Sequence, residues 1–157
     1  MNIMILFGTE SGNAELISFE IAEAINGRYT VFIRDMSDVD PAELSRDDFH
    51  LVVCSTHGEG ELPSGAVPFA TALMDAKPDL RGLRYAMFGL GDSSYDNYSR
   101  GSDVVDELLR AHGAKRHGPF GRYDASSQDD AIQLGKEWAN EVLKDLQGVQ
   151  TSATGKN

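Results

Sequence analysis

The chain has 157 residues, 41% hydrophobic and 25% charged, a balance that suits one soluble domain with a sizeable core. Its formal net charge of −11 opposes binding to nucleic acid or anionic lipid and permits steering toward a basic partner surface. No apolar run approaches the roughly 20 residues that cross a membrane, no signal peptide is visible, and the single cysteine excludes an intrachain disulfide, so a reducing cytoplasm is expected.

Residues 2–7 read as a buried strand that stops abruptly at Gly8. Residues 13–26 read as a helix with Ile17, Ile21 and Ile25 on one face and Gly27 as its stop. A second strand is expected at 29–33, then a polar link through Pro41, then a third strand at 49–54. That strand ends in Cys54, which reads as a small buried hydrophobe rather than a reactive thiol. A loop over 55–64 leads into a short helix at 67–75 that buries Ala70, Leu73 and Met74. Pro78 and Gly82 punctuate the next link, the fourth strand covers 85–88, and a long polar loop spans 89–99. A helix at 101–112 turns Val104, Val105, Leu108 and Leu109 inward. A weaker fifth strand lies within 115–123, broken by Gly118, Pro119 and Gly121. The last helix runs over about 129–146 with Leu134, Trp138, Val142 and Leu146 as its core face, which makes residues 1–147 the domain and 148–157 a polar, fraying tail.

Strands that alternate with helices predict an α/β three-layer sandwich, with a parallel sheet covered on both faces. Of the two common doubly wound arrangements, five strands favour the order 2-1-3-4-5 over the dinucleotide-binding order. Ligands of such sheets bind at the carboxyl ends of the strands, beside the switch in strand order. The informative loops should then follow strands one, three and four, and they do. Loop one is "TESGN" (9–13), loop three is "STHGEGELP" (55–63), and loop four is "GLGDSSYDNY" (89–98).

Loop one enters a helix N-terminus, where backbone N–H groups and the positive end of the helix dipole face outward. Thr9, Ser11 and Asn13 add polar groups and Gly12 allows close approach, so a phosphate can be held without a cation. A plain N-cap is the alternative reading of the same residues. There is no Gly-x-x-x-x-Gly-Lys-Ser/Thr and no Gly-x-Gly-x-x-Gly here, so a single phosphate monoester fits better than a triphosphate or a dinucleotide. In loop four, Tyr95 and Tyr98 can lie flat on a planar ligand. In loop three, His57 offers a second flat side chain beside Gly58 and Gly60. His57-Gly58-Glu59 matches half of a zinc deaminase signature, but one cysteine cannot complete it. His50, His112 and His117 form no metal spacing, no Gly-x-Ser-x-Gly elbow exists, and the paired acids of a response regulator are replaced by Gly8-Thr9.

A phosphate seat at one loop and a planar ring between two others describe flavin mononucleotide (FMN). "TESGNAE", "STHGEGELP" and "FGLGDSSYDNY", in this order, resemble the three cofactor loops of the flavodoxin family. The resemblance covers residues 1 to about 147. It is strongest toward short-chain flavodoxins of the MioC type and the FMN domains of diflavin reductases, carried by "STHGEGELP" and by the run from "KPDL" through "GLGDSSYD". It implies the flavodoxin-like fold and FMN as cofactor. It further implies a phosphate loop at Thr9, Glu10, Ser11, Gly12, Asn13 and Ala14. One side of the flavin ring falls to Ser55, Thr56, His57, Gly58 and Gly60. The other falls to Leu90, Gly91, Asp92, Tyr95, Asn97, Tyr98 and Ser99, with Tyr95 at the stacking position and Asp124 as a further contact. The sequence departs from the family at His57, where many relatives carry Trp or Tyr, and lacks the strand-five insertion of long-chain members.

The function this implies is a low-potential electron carrier that shuttles single electrons between a flavodoxin or ferredoxin reductase and an acceptor enzyme. It would have no substrate turnover of its own, no metal, and would be a monomer. The flavin would do the redox chemistry and the protein would tune it. Glu10, Glu59, Glu61, Asp92 and Asp96, on or beside the loops, should oppose an anionic reduced ring. A Gly58 carbonyl free to turn could accept the ring N5 proton of a neutral semiquinone. The same acids would dock a basic partner. Two alternatives stay open: an FMN-dependent NAD(P)H quinone or azo reductase on the same fold, and a cofactor-free binding module.

Overall fold

The apolar run near the N-terminus forms β1 (Ile3–Gly8), whose Ile3, Ile5, Leu6 and Phe7 are all buried. The computed structural model describes residues 1–155, with side chains through Gln147. After β1 come α1 (Asn13–Ile25), β2 (Val31–Asp35), β3 (Phe49–Cys54), α2 (Val67–Ala76), β4 (Arg84–Gly91), α3 (Arg100–Ala111), β5 (Lys115–Arg116), β6 (Gly121–Asp124) and α4 (Ala131–Gly155). Short 3-10 turns occupy Met36–Asp38, Pro41–Glu43 and Ser64–Ala66.

The sheet is parallel, in the order β2-β1-β3-β4-β5, with β6 also paired to β4. This is the expected flavodoxin-like order, with its switch between β1 and β3. Ile5 pairs with Ile33 on one side and Leu51 on the other, and Leu51 pairs with Ala86. Every residue of β3 is buried, as a central parallel strand requires. The fifth position differs from one weak strand. β5 lies beside Arg84 and Tyr85, β6 lies beside residues 88–91, and the chain breaks between them. Pro119 cannot donate to a ladder. Its carbonyl instead accepts from the indole N–H of Trp138 at 3.0 Å.

Two cores flank the sheet. Ile17, Ile21, Ile25, Trp138, Val142 and Leu143 of α1 and α4 cover one face, with Phe88 against Trp138 at 5.3 Å between ring centroids. Phe69, Leu73, Val105 and Leu109 of α2 and α3 cover the other. Several expected boundaries and core positions move. β2 begins at Val31 rather than 29, and β4 is longer at both ends than 85–88. Met74 is 50% exposed, and Phe69 takes its place in the core. Leu73 already faces the sheet, and each helical residue turns by about 100°. Val104, Leu108 and Leu134 are half-buried rather than internal. The backbone of α4 continues to Gly155, past the expected end near Leu146, because a polar surface does not by itself stop a helix. The side chains of the expected tail from Gly148, and residues 156 and 157 entirely, lie outside the described residues. Among the described residues, no helix is long and apolar enough to cross a membrane.

Candidate functional site

Loops one, three and four leave the carboxyl ends of β1, β3 and β4, and the turn after β6 joins them at the same edge. Together they enclose a cleft of about 200 Å³. Loop one contributes Glu10, Ser11 and Asn13, and loop three contributes Ser55, Thr56 and Gly58. From β4 and loop four come Leu90, Gly91, Asp92 and Tyr95. Tyr123 and Ala125 complete the lining from β6 and the turn beyond it.

The head of α1 is left open. Gly12 is its N-cap, in the left-handed region at φ 97, and no side chain caps the first turn. The Gly12 N–H is taken by the Thr9 hydroxyl at 2.8 Å, which closes the turn and aims the following amides outward. No atom lies within 4 Å of where a Gly12 side chain would begin. Ala14 packs its methyl into the core, so only its backbone can serve the site. The arrangement suits an anion that needs amides and hydroxyls rather than a cation.

Glu10 belongs to the cleft wall, yet it is also a strut. Its Oε2 accepts the Ser64 N–H at 2.5 Å, and the Thr9 carbonyl accepts the Gly65 N–H at 3.1 Å. Loops one and three are thereby tied together. The Ser64 N–H, then its hydroxyl, and more weakly His57 hold the Glu10 carboxyl below the usual range. Within loop three, His57 and Glu61 exchange backbone hydrogen bonds at 2.8 Å each. The tip between them carries Gly58 at φ 53 with open space on its side-chain side. The Thr56 hydroxyl accepts the Gly101 N–H at 3.1 Å, fixing loop three to the head of α3. A side chain at Gly101 would meet the Ser55 carbonyl at 2.7 Å, so the fit between loop and helix depends on glycine there. Cys54 is buried beneath, and burial pushes its thiol up to about 12, which leaves it protonated and inert.

Loop four is fastened at both ends. Asp92 Oδ1 accepts the Ser94 N–H at 2.9 Å and its hydroxyl at 2.6 Å. Ser99, buried at the head of α3, shares a 2.7 Å hydrogen bond with Ser102. Tyr95 stands between these anchors, 45% exposed at the cleft. Tyr98 turns away and packs where Gly91 has no side chain, and Asn97 packs on Gly60 in the same manner. Burial, followed by the nearby Asp124 charge, raises the Tyr98 phenol above its ordinary value.

The structure therefore brings ten of the expected residues to the cleft: Glu10, Ser11, Asn13, Ser55, Thr56, Gly58, Leu90, Gly91, Asp92 and Tyr95. Thr9, Gly12, Ala14, Gly60, Asn97, Tyr98 and Ser99 are not among the residues that line it. The His57 imidazole is not part of the lining; it lies beside Glu10, with Nδ1 4.0 Å from Oε1. Asp124 ends β6 at the same edge. Its Oδ1 accepts the N–H groups of Ser93 and Ser126 at 2.9 Å each, and the Ser126 hydroxyl at 2.8 Å. These bonds, led by those from Ser93, hold its carboxyl well below the usual range and make it a clamp between loop four and the β6 turn. Tyr123 and Ala125 were not anticipated. Tyr123 pairs in register with Leu90, so recognition of β6 as a strand ending at the same edge would have found them.

The chain matches the family model described as Flavodoxin over residues 5–138. It is 30% identical over 150 residues to the protein MioC homolog of Haemophilus influenzae, covering 93% of this chain and 99% of that one. It is 34% identical to the sulfite reductase [NADPH] flavoprotein alpha-component of Bacillus subtilis, covering 92% of this chain and 24% of that one. The chain spans 8% to 27% of the length of such longer relatives. A cysteine-to-serine mutant of flavodoxin from Pseudomonas aeruginosa superposes with a TM-score of 0.81 at 30% identity, covering 94% of this chain and 99% of that structure. The sheet order, the uncapped α1 head and these likenesses agree: the chain belongs to the flavodoxin family of FMN-binding electron-transfer proteins.

Proposed function

We propose that FMN sits in this cleft with its phosphate on residues 9–14 and its ring between loops three and four. Bound there, FMN supplies reversible electron transfer. The observation that carries the reading is the convergence of an uncapped helix head, two hydroxyl- and glycine-rich loops and an exposed tyrosine ring on one cleft.

Each residue has a distinct task in this reading. The amides of Ser11, Asn13 and Ala14, with the hydroxyls of Thr9 and Ser11, hold the phosphate while Gly12 gives it room. Tyr95 covers one face of the ring, and Ser55, Thr56, Gly58 and the loop held by Gly60 border the other. Leu90, Gly91 and Asp92 supply the floor, with Tyr123 beside them. Asn97, Tyr98, Ser99 and Asp124 act through the shape of loop four. Residues 1–147 are the working domain.

The protein relays electrons between a donor reductase and an acceptor enzyme, as a cytoplasmic monomer without substrate turnover of its own. Glu59, Glu61 and Asp96 beside the cleft would meet a basic docking surface on either partner. Stepwise reduction of FMN-loaded protein under a visible spectrum tests this. One flavin per chain, reduced by a basic donor at a rate that falls with salt, is the expected result. Colourless protein that takes up no FMN would overturn the reading, and direct oxidation of NAD(P)H by the protein alone would restore the quinone or azo reductase alternative.

A further inference from the structure

His57 stands at the cleft without lining it. Its backbone is fixed on both sides by the hydrogen bonds to Glu61. Its side chain is 48% exposed, with Nδ1 4.0 Å from Glu10 Oε1. Glu10 is held in turn by Ser64 through its other oxygen. The two neighbours of His57 in sequence, Thr56 and Gly58, line the cleft, and so does Glu10. A charge on the imidazole thus stands at the edge of the cleft, and physiological salt screens charges only over roughly 8 Å. Imidazole is also the side chain whose charge ordinarily changes between about pH 5 and 8.

The charged residues of the loops beside it are mostly acidic. Loop one brings Glu10, and its own turn brings Glu59 and Glu61. Loop four, packed on Gly60 through Asn97, brings Asp92 and Asp96. The head of α3 brings Arg100, but this guanidinium is turned to Glu107 at 3.1 Å. Of these acids, Glu10 is the one placed to hold an imidazolium.

We propose that His57 couples proton uptake to reduction of the bound flavin. When the ring gains negative charge with an electron delivered by the redox partner, the imidazole takes one proton from solvent and is held as a cation against Glu10. One N–H bond forms on the imidazole, and no other covalent bond in the protein changes. The exchange is reciprocal: protonated His57 favours reduction by the same factor by which reduction favours protonation. His57 acts through its charge, as a positioning residue for a proton rather than a contact to the ring. The inference rests on the FMN reading above.

Nitrogen-edited NMR of the imidazole, in oxidised and in fully reduced FMN-loaded protein, tests it directly. The His57 titration midpoint is expected to rise on reduction by roughly half a pH unit or more, about threefold in proton affinity. E10Q keeps an acceptor for the Ser64 N–H but removes the charge, and should lower the midpoint in both redox states. H57N, at saturating FMN, should lose part of the pH dependence of the reduction potential. Equal His57 midpoints in the two redox states, or a potential-against-pH profile of H57N superimposable on that of the unaltered protein, would overturn the coupling. Failure to bind FMN would sink the functional reading and this inference together; stoichiometric FMN with an unmoved His57 would sink this inference alone.

Discussion

Toward the amino ends of the strands, one buried carboxylate gathers three polar side chains. The buried Asp106 of α3 accepts from the Tyr85 hydroxyl at 2.5 Å, from Arg116 at 2.7 Å and from Arg110 at 3.2 Å. Burial first, and the bond to Asp106 second, push the Tyr85 phenol well above its ordinary value. At the carboxyl ends the loops are joined instead by backbone groups, hydroxyls and carboxylates, and the first-turn amides of α1 have no side-chain cap. One end of the sheet uses its polar groups to close the fold. The other holds its loops rigid while leaving donors and a tyrosine ring open for a ligand. Stability and binding should therefore respond to different substitutions.

The largest expected effect is on the closed end. Asp106→Ala removes the acceptor shared by Tyr85, Arg116 and Arg110 and should cost about 3 kcal/mol of stability, read from urea unfolding. FMN affinity of the folded variant should change little. A loss of affinity as large as the loss of stability would show that the two ends are not separate.

Tyr95→Ala is the converse. The exposed ring supports little of the core, so the unfolding midpoint should hardly move. Quenching of FMN fluorescence should report a roughly tenfold weaker complex, in line with ~1–2 kcal/mol for a stacked ring. Undiminished affinity would remove Tyr95 from the flavin face.

The smallest effect sharpens the contrast through pH. His50 is buried on β3, its Nδ1 3.1 Å from the Arg84 carbonyl and its Nε2 without a partner. Burial holds its imidazole below the ordinary value, against the opposing hydrogen bond. The unfolded chain therefore binds the proton first, at about pH 6.5. The stability that neutral His50 contributes is present above that value and is lost as pH falls through the lower folded one. Between about pH 7 and about pH 5.5, His50→Leu should lose less stability than the unaltered protein. The difference should be partial, since burial also lowers His117. Identical slopes would exclude His50 as a source of acid sensitivity.

Much of this was legible in the residues. The alternation of apolar strands with amphipathic helices implied the sheet, and the position of "TESGN" before a helix with an Ile17-Ile21-Ile25 face implied an anion seat. Apolar periodicity is a local signal, and local signals survive without coordinates. The misplaced details were those that depend on partners distant in sequence. Met74 against Phe69 was decided by how α2 sits on the sheet, and the split of the fifth strand by the contact of Pro119 with Trp138. The resemblance implied a cofactor contact at Asp124, and the structure adds a bond that no local pattern announces, from Ser93, 31 positions away.

The sequence by itself determined the main element types and the chemistry of the three loops, because spacing, glycine and hydroxyl content act within a few residues. Tertiary structure alone decided which loop residues face the cleft, that Glu10 ties loop one to loop three, and that His57 lies against it. Those outcomes depend on directional bonds between distant segments, such as Glu10 to Ser64 across 54 positions, whose geometry no local pattern specifies.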